Sequence, residues 1–166
     1  GISSYLFIDT LQMTPLIYSY LFIIIAMGYF AGNSLMMILN KRHFTPIKIM
    51  NIGIYTSLIG LIILISSVIL ANKSAIIISV TTGVIIMRAA SALIIAPAQV
   101  KILEHFKERG ALALGMSSAM QFACASIAIS LVAIFHSSAL YGLIGVSIMF
   151  FVPTIILMRK LRQLFA

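Results

Sequence analysis

Residues Ile76–Val100 read IIISVTTGVIIMRAASALIIAPAQV, with a single charge, Arg88, near the middle. About 20 apolar residues in a helix are enough to cross a bilayer core of ~30 Å. This run is long enough, and four further stretches, at about 16–39, 47–71, 111–135 and 140–158, are built the same way. A soluble domain of 166 residues could not cover so much apolar sequence with polar surface: 62% of the chain is hydrophobic, 8% is charged and tryptophan is absent. The mean hydropathy, +1.18, says the same. The reading is an all-α integral membrane protein.

The gaps between the stretches set its orientation. Lys41, Arg42 and Lys48 flank the first gap, Lys101, Lys107 and Arg109 the third, and Arg159, Lys160 and Arg162 follow the last stretch. The second gap holds only Lys73, and the fourth has no Lys or Arg. Anionic lipid and the insertion machinery retain cations on the cytoplasmic side, so the first and third gaps and the C-terminus are expected there. The same rule accounts for the net charge of +8. No basic surface interleaved with aromatics lies outside the spans, so nucleic acid is not an expected partner. The partner expected of every span is the lipid bilayer.

The opening segment Gly1–Leu11 (GISSYLFIDTL) is apolar but covers only about half a bilayer. It is expected to be the outer end of a truncated helix, with Asp9 at the external interface. Pro15 and Pro46 stand at span starts, where a missing N–H costs nothing. Pro97 and Pro153 fall inside spans and are expected to kink or interrupt them. The links at 40–46, 72–75, 101–110 and 136–139 are short, which makes successive helices antiparallel neighbours in one bundle. Lys101–Gly110 (KILEHFKERG) suits a short amphipathic helix on the inner surface. Asn72-Lys73-Ser74 fits a glycosylation pattern, in a loop too close to the bilayer for easy modification.

Small residues recur four apart: Gly28 and Gly32 in the first full span, Gly115, Ala119 and Ala123 in the fourth. Such spacing lets helix backbones approach where no hydrophobic drive acts between helices, and chance in a Gly- and Ala-bearing sequence also produces it. Asn33 reads as a hydrogen bonder between packed helices. Tyr18 and Tyr20 read more simply as interfacial belt residues than as groups that stack on a substrate.

Arg88 is the sharpest signal for function. A charge at the bilayer centre costs ~2.5–3.5 kcal/mol on insertion scales, and its five N–H donors need acceptors. Thr81, Ser91 and Gln99 share roughly its helix face. Arg88 therefore contacts a substrate or an acidic group within a polar cavity, or it pins the bundle through backbone carbonyls. Ser117, Gln121 and Cys124 follow i, i+4, i+7 along the fourth span, as cavity lining or as interhelical hydrogen bonders. His43 and His105 fall on the inner side and His136 on the outer, so they make no three-ligand site. Cys124 is the only cysteine and lies within a span. No nucleophile–base set, phosphate loop or metal spacing appears, so neither an enzyme nor a cofactor is expected.

Read in order, these features resemble the C-terminal half of a major facilitator superfamily transporter, and within it the Bcr/CflA-type branch of drug/proton antiporters. Asn33-Ser34 before the basic turn Asn40-Lys41-Arg42 resembles that branch's end of helix eight. Ala96-Pro97-Ala98 resembles its proline late in helix ten, and Phe106, Arg109-Gly110-Ala111 and Ser117-Ser118-Ala119-Met120-Gln121-Phe122 its entry into helix eleven. Gly110-Ala111-Leu112-Ala113 departs from the branch's usual Gly-Thr-Ala-Ser.

The resemblance implies a six-helix half of an MFS-type bundle over residues 1–166: a truncated first helix, five complete transmembrane helices and a cytoplasmic C-terminus. It also implies a bacterial inner membrane and a substrate path shared with an N-terminal half that this sequence lacks. The substrate would be an amphipathic drug, often cationic, or a metabolite. Asp9, Glu104 and Glu108 all fall at interfaces or loops, so proton coupling would need a titratable group from the other half. Arg88, Ser91, Ser117 and Gln121 are then the substrate-cavity candidates, and Gly28, Gly32, Asn33, Gly115 and Ala119 the helix-packing candidates. The alternative is a non-transporting membrane remnant, or a partner protein that packs against other helices.

Overall fold

A computed structural model describes residues 14–69, 72–134, 142, 144–149 and 153. Their regular structure is helical: α1 (Pro15–Lys41), α2 (Pro46–Ser66), α3 (Lys73–His105) and α4 (Gly110–Ile134). A further helical stretch covers residues 144–149. All four named helices are long and apolar enough to cross a membrane. The opening segment 1–13, most of the last expected span and its Arg159, Lys160 and Arg162 lie outside the described residues.

Local chemistry sets the helix ends. Thr14 and Thr45 are extended, and the prolines that follow begin α1 and α2 with φ already suited to a helix. Asn72 caps α3, its Oδ1 accepting the backbone N–H of Ser74 at 3.1 Å. At the end of α1, His43 N–H donates to the Asn40 carbonyl and Phe44 N–H to the Leu39 carbonyl, with His43 at φ 58°. This is the paired closure that ends many helices, with histidine at the left-handed position that glycine usually takes.

Two sequence expectations change. α2 ends at Ser66 rather than near residue 71. Ser66 Oγ donates to the Ile63 carbonyl at 2.7 Å and Ser67 Oγ to the Leu64 carbonyl at 2.6 Å, occupying carbonyls that a continuing helix would use. Residues 67–69 then form tighter turns.

Pro97 lies buried inside α3, which continues past it to His105. Lys101–Gly110 is not a separate surface helix: residues 101–105 are the last turn of α3 and 106–109 are a turn. Extending an existing helix adds one hydrogen bond per residue, whereas a new ten-residue helix must nucleate again. Lys101 and Glu104 form an i,i+3 ion pair on that last turn.

α3 is the centre of the bundle. α1 runs parallel to it, Gly28 lying on Ile85 and Gly32 on Ala89. α2 runs antiparallel, with Gly53 against Leu93 and Ile94, and Gly60 against Gly83. A methyl on Gly32 would fall within 2.7 Å of Ala89 Cα, so this approach needs glycine. Leu64, Val80 and Ile144 form a buried cluster with Tyr18, Leu21 and Val84 around it. Tyr18, expected as a belt residue, therefore packs inward, while Tyr20 stays exposed.

Candidate functional site

Helix connectivity brings the basic residues together. Lys41 ends α1, Lys48 lies in the first turn of α2, Lys101 is in the last turns of α3, and Lys107 and Arg109 lead into α4. One end of the bundle is therefore strongly cationic, with Glu104 and Glu108 as its only described acids. The opposite end is closed by hydroxyls. Ser79 of α3 donates to the Ile63 carbonyl of α2 at 2.8 Å, and its oxygen lies 3.3 Å from Ser66 Oγ. None of these serines stands out in the sequence, because the contact depends on the antiparallel register of α2 and α3.

Between the two ends, midway along α3, Arg88 is exposed. It lines an open groove of about 220 Å³ with Leu64 of α2, Val84, Met87 and Ser91 of α3, and Ser147 of the stretch 144–149. No described residue forms an ion pair or a hydrogen bond with its guanidinium. Glu104 is paired with Lys101 and lies sixteen residues along the helix, roughly 24 Å away at ~1.5 Å per residue. Ser91 Oγ donates to the Met87 carbonyl at 2.9 Å, so its proton is committed and its oxygen faces the groove only as an acceptor.

The other candidates are placed apart from Arg88. Thr81 is buried and its hydroxyl finds no described partner. Gln99 is half-buried near the basic end of α3, outside the groove. Ser117 is half-buried and Gln121 exposed on α4, and neither lines the groove. Gly115 and Ala119 are exposed, and a methyl on Gly115 would meet no described residue within 4 Å. Asn33 is half-buried beside Gly32 at the α1–α3 crossing. Cys124 is exposed. Depth in the sequence points to Arg88 and helix periodicity to Ser91, but neither points to Leu64, Met87 or Ser147, which are apolar or ordinary residues until three segments meet.

A guanidinium at mid-helix with its fork open can accept two oxygens of one ligand or one carboxylate of a partner helix. No protein-family model, curated protein or solved structure matches the chain.

Proposed function

We propose that this chain is the C-terminal half of a secondary transporter of the major facilitator type, carrying a small amphipathic molecule across a bacterial inner membrane. The observation that carries the reading is Arg88: a charge near the centre of an apolar helix, open to a groove where three segments meet. A structural pin would turn its donors into the bundle, whereas a group that must meet substrate or a moving partner is left accessible. In this reading the groove is one wall of a path whose other wall is the N-terminal half, and the two halves rock about it. The basic end faces the cytoplasm, and the coupling proton is carried by the other half.

The transporting form should move a dye across everted vesicles when a proton gradient is applied. Ethidium and fluorescein cover the two signs of charge, with Arg88→Leu as the comparison at matched membrane levels. Flux of either dye that is lost in Arg88→Leu supports the reading. Wild-type flux by Arg88→Leu would leave Arg88 a structural role alone. Orientation is read separately, in a Cys124→Ala background. A cysteine at Ser74 should react with an impermeant thiol reagent outside intact cells, and one at Thr45 only after permeabilisation.

The packing-partner reading has one observation in its favour. Beyond Gly110, α4 has no buried residue among those described. Affinity capture from membranes that recovers a stable partner, with no dye flux under any gradient, would select it.

A further inference from the structure

We infer that the Arg88 groove recognises an organic anion, a carboxylate carried on one or two rings or on an apolar chain of similar size. The inference rests on the transport reading and names the substrate class for that same site. Three observations lead to it.

The first is charge. Among its described lining residues the groove holds one cation and no acid: Leu64, Val84 and Met87 are apolar, and Ser91 and Ser147 carry no charge. Glu104 and Glu108 are at the far basic end, and Asp9 lies outside the described residues. A cationic ligand would meet repulsion from Arg88, with no acid among the described lining residues to offset it. A carboxylate meets a planar fork that matches its two oxygens.

The second is depth. Arg88 is near the midpoint of the apolar part of α3, with Lys73 and Lys101 towards its two ends. A lipid phosphate sits about 15 Å from the bilayer midplane, beyond the reach of an arginine side chain. The anion is therefore a small molecule that enters the groove, and not a headgroup held at the surface.

The third is size. The groove's volume of about 220 Å³ lies below the ~300–1,000 Å³ of sites that enclose drug-sized ligands. A dry cavity of about 150 Å³ already accepts benzene. The groove thus fits the anionic, ring-bearing end of an amphiphile, with Leu64, Val84 and Met87 against the ring and the remainder extending along the proposed path between the two halves.

The test uses the 166-residue chain in nanodiscs of zwitterionic phosphatidylcholine, which removes competing lipid anions. Three probes share one ring system: 1-naphthoate, 1-naphthamide and 1-naphthylmethylammonium. Their fluorescence is readable because the chain has no tryptophan. Naphthoate should bind about tenfold tighter than the amide, and the ammonium weakest. Arg88→Gln should bring naphthoate to within about twofold of the amide, and Arg88→Lys should fall between because it keeps charge but loses the fork.

Ser91→Leu narrows the groove without touching the charge, so it should weaken naphthoate and amide together. It also locates the site if Arg88→Gln fails to give a helical, monodisperse protein. Equal binding of the three probes, tighter binding of the ammonium, or naphthoate binding indifferent to these variants would overturn the inference. Anion preference without dye flux would remove the transport reading and keep the site. Ethidium flux without naphthoate preference would do the reverse.

Discussion

The helices α1 and α4 carry the same small-residue spacing and put it to different use. In α1, Gly28 and Gly32 are buried against the backbone of α3 at Ile85 and Ala89. In α4, Gly115 and Ala119 are exposed, and Gly115 has no described residue in front of it. Both sequences permit close approach; only one of them has a partner on that face among the described residues. Small residues four apart thus describe an allowance, and which allowance is used depends on the neighbour's own surface. Opposite Gly28 and Gly32, α3 presents the Ala89 backbone, and on its α2 face it presents Gly83 to Gly60.

The largest effect expected from this contrast is at Gly32. Gly32→Leu drives a side chain into the Ala89 backbone, which cannot rotate away, so α1 must separate from α3. The loss should be about 3 kcal/mol or more, at the upper end of overpacking costs. Gly115→Leu, the same change in an open position, should stay within about 0.5 kcal/mol. Reversible unfolding in mixed micelles, followed by helicity, measures both. Equal losses would mean that α4 is packed in the protein as firmly as α1 is.

A smaller effect is expected at Gly60. Its added methyl would lie 2.8 Å from Met87 Cγ, which can move, and 3.0 Å from the Gly83 carbonyl, which cannot. Gly60→Ala should cost about 1–2 kcal/mol. Met87→Ala in the same chain should recover only the side-chain part of that cost. Full recovery would show that the α2–α3 backbones are less tightly engaged than Gly60 and Gly83 indicate.

Much of the helical layout is legible in the sequence for a simple physical reason. An apolar run must be covered, and prolines and cations punctuate it, so Pro15, Pro46 and the basic gaps mark ends directly. The end of α2 is not legible in this way, because hydropathy continues past Ser66 while the serine hydroxyls take the carbonyls. The surface helix expected at Lys101–Gly110 rests on amphipathic spacing, which a final helical turn and a polar turn also satisfy. For the site, depth alone singles out Arg88, since few residues are so costly there. Its neighbours Leu64 and Ser147 come from other segments, and no single-helix periodicity can bring them to it. The same limit explains Ser117 and Gln121: a polar stripe on one helix states a preference for cover, without saying what supplies it.

A further contrast is between His43 and glycines such as Gly32, which are required for space. His43 sits at φ 58°, where a side chain is disfavoured and glycine is free of strain. His43→Gly should therefore stabilise the α1–α2 turn by about 1 kcal/mol, the opposite sign to Gly32→Leu. Thermal unfolding of the two variants side by side checks the signs.

The smallest effect separates hydroxyls that join helices from hydroxyls that serve their own. Ser79 of α3 donates to the Ile63 carbonyl of α2 at 2.8 Å, while Ser34 donates to the Phe30 carbonyl one turn back in α1 at 3.0 Å. Removing Ser79's hydroxyl breaks a link between two helices, but the Ile63 carbonyl keeps the Ser66 hydroxyl at 2.7 Å, so it is not left bare. Interhelical hydrogen bonds in membranes are worth about 0.6 kcal/mol on average, and this shared acceptor places Ser79→Ala near that value. Ser34→Ala loses only an exposed intrahelical bond and should be neutral within about 0.3 kcal/mol. In Ser66→Ala the Ile63 carbonyl would depend on Ser79 alone, so the double variant should lose more than the two single losses together. A strictly additive double variant would mean that the two serines do not share Ile63, and that the end of α2 is held by its turns and not by α3.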